Sequence, residues 1–231
     1  FTPPKIYDLA DEERLDQRRK LLGSIESNAL AKDALGQDWG NLREKAYDAM
    51  TRPEGREAFE MNREPTKVRE RYGMHPLGQN LLLARRMVEA GVRFVTVNGW
   101  AGQSNVGKKG PPSSSWDMHG GNMGMGDAFG NGSYGMGFCL PRLDQALAGL
   151  FTDLKERGMM DNTLVVVTGE FGRTPKVLTQ KPPGRQHWPK CFSAIMGGCG
   201  IAGGAVYGAS DRHGASVIHN PVVPKNLAAT I

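Results

Sequence analysis

At 231 residues, 39% apolar and 23% charged, the chain has the composition of a folded globular protein, which excludes disorder and a coiled coil. The net charge of +5 is interleaved with acids, as in "DEERLDQRRK", a solvated helix face that speaks against a nucleic-acid partner. Three cysteines (Cys139, Cys191, Cys199) in no CxxC spacing exclude a zinc ribbon and a disulfide framework, and no apolar run reaches the roughly 18 residues of a membrane-spanning helix.

From Asp11 to about Leu35, Leu15, Leu21, Leu22, Ile25 and Leu30 recur at helical spacing among charges, so an amphipathic helix is expected. Shorter helices are expected at Leu42 to Met50, Gly55 to Glu60 and Lys67 to Arg71, broken by Pro53 and Pro65. Residues 1–75 thus read as a helical insertion or cover, and residues 76–231 as an α/β domain. That domain opens with an apolar helix from Leu77 to Ala90, ended by Gly91, and a β-branched strand from Val92 to Asn98. A long glycine-, serine- and methionine-rich loop follows, from Gly99 to Gly137, and loops of that length usually carry function. It lacks a GxGxxG between strand and helix, which gives dinucleotide binding little weight. Leu140 to Arg157 reads as an amphipathic helix, Thr163 to Thr168 as a second strand and "CFSAIMGG" as a third. Strand, crossover helix and strand would make a right-handed parallel βαβ unit. The chain opens on "FTPPKIYDLA", which reads as the middle of a protein, and closes on "VPKNLAATI", a helix start; both ends are expected to be cut.

If the strands are parallel, their C-terminal ends share one edge, where open α/β sheets bind ligands. Loops leaving that edge carry Asp117 and His119 in "SSWDMHGGN", Glu170 and Arg173 at the end of "TLVVVTGEFGRT", and Arg185 and His187 beyond it. Two carboxylates and two histidines form a mixed oxygen and nitrogen ligand set suited to a divalent metal, with the arginines left to hold an anion. Each residue also has a plainer reading. His119 and His187 stand beside Trp116 and Trp188 and could pack on them; Glu170 could pair with Arg173; Asp117 could close an Asx-turn after "SSS". His75, before Pro76, reads as structural, and His213 and His219 as solvated.

The stretches "LDQALAGLFTDLKERGMMDNTLVVVTGEFGRTPK", "GRQHWPKCFSAIMGGCGIAGGAVYGASD" and "PKNLAATI", with "WDMH", resemble the C-terminal part of domain-of-unknown-function family 1501. This family is abundant in planctomycetes and related to the alkaline phosphatases and sulfatases. The resemblance implies an alkaline-phosphatase-like α/β core, a mostly parallel sheet flanked by helices. It also implies a Zn, Mn or Ca site formed by Asp117, His119, Glu170 and His187, with Arg173 and Arg185 as charge-stabilising groups. The activity implied is hydrolysis of small anionic phosphate or sulfate esters by an exported protein. The nucleophile and an early metal-ligating aspartate would lie upstream of Phe1. Two positions depart from the superfamily pattern: Phe171 stands where relatives have a metal-binding histidine, and Gln186 where the family usually has aspartate.

Overall fold

The computed structural model of the chain describes residues 12–29, 34–51, 53–102, 116–120, 128–129, 135–181 and 183–231. Most of the glycine-rich loop expected between Gly99 and Gly137 lies outside them. In chain order the elements are helices α1 (Glu12–Ala29), α2 (Ala34–Thr51), α3 (Pro53–Phe59), a 3-10 turn (Met61–Arg63), α4 (Thr66–Tyr72), α5 (Pro76–Glu89) and α6 (Met136–Glu156). Strands β1 (Val165–Thr168), β2 (Gly172–Arg173), β3 (His187–Trp188), β4 (Ala194–Gly197), β5 (Ala209–Ser210) and β6 (Val217–His219) follow, before helix α7 (Pro224–Thr230). The protein is thus a mixture of helices and small antiparallel sheets, and no helix among the described residues is long and apolar enough to cross a membrane.

The chain divides into two compact units, the described residues of Phe1–Arg69 with Leu82–Val97, and those of Glu70–Leu81 with Asn98–Ile231. In the first, Ala58, Met61 and Leu82 are buried around an ionic cluster. Arg85, 1% exposed, pairs with Glu64 at 2.9 Å, and Arg86 meets the same carboxylate oxygen at 2.5 Å while donating to the Ala58 carbonyl at 2.7 Å. Two guanidiniums on one buried carboxylate tie the start of α4 to α5. Removing Glu64 would take this carboxylate from both guanidiniums, Arg85 keeping Glu89 at 2.6 Å and Arg86 the Ala58 carbonyl, so the expected loss is below the roughly 3–5 kcal/mol of a fully broken buried pair.

The second unit is built on α6. Its buried residues Phe138, Cys139, Ala146, Gly149, Leu150, Asp153 and Leu154 follow the helical repeat, and Phe138, Cys139 and Ala146 pack with Leu77 and Ala101. A Cβ on Gly149 would stand 3.0 Å from Tyr72 Cα and from the Arg71 carbonyl oxygen, so glycine lets the backbone of residues 71–72 close on the helix. There the Tyr72 hydroxyl donates to buried Asp153 at 2.8 Å, and Arg157 Nε donates to the other oxygen of that carboxylate at 2.8 Å. A buried charge is tolerable only when satisfied in this way.

The parallel expectation needs correction. β1 pairs with β4 antiparallel, Val165 opposite Gly197 and Thr168 opposite Ala194; β2 pairs with β3 antiparallel, Arg173 opposite His187. A parallel return needs a crossover, usually a helix, and residues 169–193 contain none. They contain a hairpin, closed by the Leu178 and Gly184 bridge, which brings the chain back alongside itself. Val92 to Asn98, expected as a strand, is irregular and has no strand partner among the described residues. The segment therefore has no ladder to hold it extended, and Phe94 is 74% exposed.

At the start of α5, His75 Nδ1 accepts the Gly78 backbone N–H at 3.2 Å, and the His75 carbonyl accepts from Gln79 N at 3.0 Å. The ring acts as a helix cap in its neutral form. Burial, aided by the charge of Arg142, holds its pKa below the ordinary imidazole value of 6.5. The unfolded chain therefore binds a proton more readily than the folded one. Stability from His75 is complete above about pH 6.5 and is lost as pH falls toward the lowered folded value. Urea midpoints taken from pH 7.5 to pH 5 should decline, and His75→Asn, which keeps a cap acceptor, should flatten that decline.

Candidate functional site

The hairpin between β1 and β4 is the platform of the site. Besides the β2 and β3 ladder, Thr174 N donates to the Gln186 carbonyl at 3.0 Å, and Gln186 N donates to the Thr174 hydroxyl at 3.1 Å. Gln186 thus takes part in the hairpin through its main chain. At the end of β3, Trp188 Nε1 donates to the Ala215 carbonyl at 2.7 Å. The loop carrying Ala215 is itself closed on Asp211. That carboxylate accepts the backbone N–H groups of His213, Ala215 and Ser216 at 2.9, 2.9 and 3.1 Å, which lower its pKa. His213 and His219 are exposed, as expected of solvated histidines.

The "WDMH" segment docks on this hairpin. Arg185 N donates to the Met118 carbonyl at 2.7 Å, and Gln180 Nε2 donates to the His119 carbonyl at 2.8 Å. Trp116 Nε1 donates to the Gly99 carbonyl and packs against the cluster around Leu77 and Phe138, which anchors the other side of the segment. The docking depends on Gly184, where an added Cβ would stand 1.8 Å from the His119 carbonyl oxygen. Residues far apart in sequence meet as a result. Asp117 Oδ1 lies 2.8 Å from His119 Nδ1, and the rings of His119 and His187 are edge to face with centroids 4.7 Å apart.

Phe171 tilts onto His187 at a centroid distance of 4.1 Å, and the guanidinium carbon of Arg173 lies 5.8 Å from the Phe171 ring. Arg173 Nη1 donates to the Arg185 carbonyl at 3.4 Å, a long contact. Burial lowers the pKa of Arg173 and the charge of Asp117 opposes that; by register Arg173 stands opposite His187. Arg185 enters through its main chain. Glu170 is exposed and forms no ion pair with Arg173 among the described residues, so the desolvated position expected of its carboxylate is not found. The turn after β1 carries it outward, while the next residue, Phe171, covers His187.

Asp117, His119, His187 and Arg173 are therefore neighbours, and Glu170 is adjacent in the chain without joining them by any bond among the described residues. The motifs pointed to the histidines. They did not show that Phe171 packs on one of them, or that Gly184 and Gln180 hold the segment in place; the only hint was the glycine after a proline in "PGRQHW", a turn signal. Chemically, two adjacent imidazoles backed by a carboxylate offer nitrogen and oxygen donors or a proton-transfer pair, and the guanidinium suits an anion. Among the described residues, no group of three or more His, Cys, Asp or Glu side chains is set to hold a metal ion. The closest approach to such a group is the pair of histidines with Asp117 behind one of them.

The family described as "Protein of unknown function (DUF1501)" matches residues 5–231, nearly the whole chain, and the protein belongs to that family. No curated protein and no solved structure matches it.

Substitution of Gly184 tests the docking directly. Gly184→Ala forces a methyl group onto the His119 carbonyl, and the segment must move away, with loss of the bonds from Arg185 and Gln180. The expected cost is about 1–3 kcal/mol, as for other overpacked sites. Chemical denaturation should show it, and the NMR signals of His119 and His187 should shift together.

Proposed function

We propose that this member of the DUF1501 family is a metal-dependent hydrolase of phosphate or sulfate esters, acting on a small anionic substrate outside the cytoplasm. One observation carries the reading: Asp117, His119, His187 and Arg173 converge on one hairpin from distant parts of the sequence. The groups proposed to hold the ion are Asp117, His119, Glu170 and His187. The donor chemistry fits, since imidazole and carboxylate together suit Zn or Mn, and carboxylate oxygen suits Ca. The fit is incomplete at Glu170, whose exposed side chain must turn inward to take part. When bound, such an ion supplies Lewis-acid polarisation of the ester oxygen.

The chain's own residues do the rest. Arg173, partly desolvated and directed over Phe171, binds the anionic oxygens and opposes the charge that builds on them. Arg185 is the second such group in this proposal. Phe171 shields one face of the His187 ring from water. The reading carries with it an alkaline-phosphatase-like sheet, in which β1 takes a parallel neighbour on the edge that β4 leaves unpaired. The location outside the cytoplasm follows from the family resemblance.

A second reading, a binding or structural subunit that retains the fold without catalysis, is favoured by one observation. Phe171 occupies a face of His187, at the position where the related phosphatases place a metal-binding histidine.

Elemental analysis, and hydrolysis of aryl phosphate and aryl sulfate by the purified full-length protein with the upstream segment expected to carry the nucleophile, separate the two. The hydrolase reading expects bound divalent metal that His119→Ala and His187→Ala remove, and turnover that Arg173→Ala lowers by 100-fold or more, about 3 kcal/mol in the barrier. Glu170→Gln should lower metal content with a change in stability within about 0.5 kcal/mol, as for other exposed positions. Metal content equal in all variants, with no turnover on either ester, would leave the subunit reading standing.

A further inference from the structure

Asp117 and His119 are both among the groups proposed to hold an ion, yet their geometry separates their roles. Asp117 Oδ1 accepts the His119 backbone N–H at 2.9 Å and lies 2.8 Å from Nδ1 of the same residue. Both side chains are largely enclosed, at 15% and 22% exposure. An ionised carboxylate can only accept, so the 2.8 Å contact is a hydrogen bond only when the proton sits on Nδ1. In the neutral ring, the lone pair then lies on Nε2. Turning Oδ1 toward another partner would break two hydrogen bonds and orphan a backbone N–H, which costs about 1–3 kcal/mol where that group is buried.

The rest of the ring's surroundings agree. The His119 main chain is pinned by Gln180 at its carbonyl and by Arg185 one residue earlier, so the ring pivots on a fixed backbone. His187 stands edge to face with it at 4.7 Å, itself covered by Phe171. A histidine that gives its Nδ1–H to a carboxylate presents Nε2 to a metal or a proton with a fixed orientation and raised basicity.

We propose that Asp117 is a positioning residue for His119: it sets the Nδ1–H tautomer and makes Nε2 the working nitrogen, and it is not itself a ligand. What Nε2 then does rests on the hydrolase reading; the tautomer does not.

The test begins without metal or substrate. Long-range 15N NMR of the whole chain near pH 8.5, about two pH units above the ordinary imidazole pKa, reports which nitrogen carries the proton. His119→Gln identifies the resonance. The expected spectrum has His119 protonated at Nδ1 and bare at Nε2. Asp117→Asn keeps an oxygen for the backbone N–H, but its amide can also donate to Nδ1, so the single tautomer should give way to a mixture or to the Nε2–H form. A zinc titration of the same variant should show affinity lowered roughly 10–100-fold with the stoichiometry unchanged, as for loss of a carboxylate behind a liganding histidine.

Wild-type His119 protonated at Nε2 would overturn the proposal, as would loss of a whole metal equivalent in Asp117→Asn. Should that variant not fold, the wild-type spectrum decides alone. Should wild type show the expected tautomer and bind no zinc, the hydrolase reading fails and the positioning role of Asp117 stands.

Discussion

The candidate site exists because two backbones meet with no side chain between them. At Gly184 the hairpin comes so close to the His119 carbonyl that even a methyl group would collide with it. That approach lets Arg185 N–H reach Met118 and Gln180 reach His119. Two such hydrogen bonds contribute about 1 kcal/mol each, small beside the entropy of ordering a segment flanked by glycines. The segment therefore needs its second anchor, Trp116, whose ring is packed and whose Nε1–H is paired to Gly99. Held at both ends, Asp117 and His119 have little freedom, and the dyad between them inherits its geometry from the main chain.

Charge is treated differently at the surface and inside. Lys20 and Asp16 pair one helical turn apart with more than half of each side chain exposed, and such a pair, screened by water, adds little. The Glu64 cluster and Asp153 are of another kind. Each is a buried carboxylate held by donors from elements distant in sequence, Arg85 and Arg86 in one case and Tyr72 in the other. Hydrophobic side chains of similar volume could supply comparable stability. The ionic versions constrain which helix faces meet, because a shift of register would leave a charge unpaired.

The helices were legible from the sequence because a 3.6-residue apolar period has one common solution. α1, α2, α5 and α6 match expected helices, although α1 ends at Ala29, short of Leu35, α2 begins at Ala34 rather than Leu42, and α6 begins at Met136, which puts Pro141 inside it. Strand direction was not legible. The run "TLVVVT" announces a strand, but whether its neighbour is parallel is decided by the connection, and the loop expected between it and "CFSAIMGG" is a hairpin that returns the chain antiparallel. His119 and His187 do come together, though not by the route expected: the hairpin of β2 and β3 and the docked "WDMH" segment meet. Glu170 shows the limit of that reasoning: its place after an apolar strand suggested burial, and the turn exposes it while burying Phe171.

The charge balance of the site bears on what it could accept. Asp117 contributes one negative charge and Arg173 one positive one, and leaving the imidazoles aside these cancel. A neutral cluster has no preference for a doubly charged anion. On the proposed reading, a divalent ion between the histidines adds two positive charges, which a phosphate dianion would neutralise and a sulfate monoester, with one negative charge, would not. The position of Asp117 sharpens the difference. Its Oδ1 is committed to His119, so its charge acts at one remove, and Arg173, partly buried, is poorly screened by water. The field met by an incoming ester is therefore more positive than the count of charges alone gives. On the proposed reading, with the ion bound, that asymmetry would favour phosphate over sulfate, through the charge of Arg173 and the hydrogen bonds that hold Asp117 on His119.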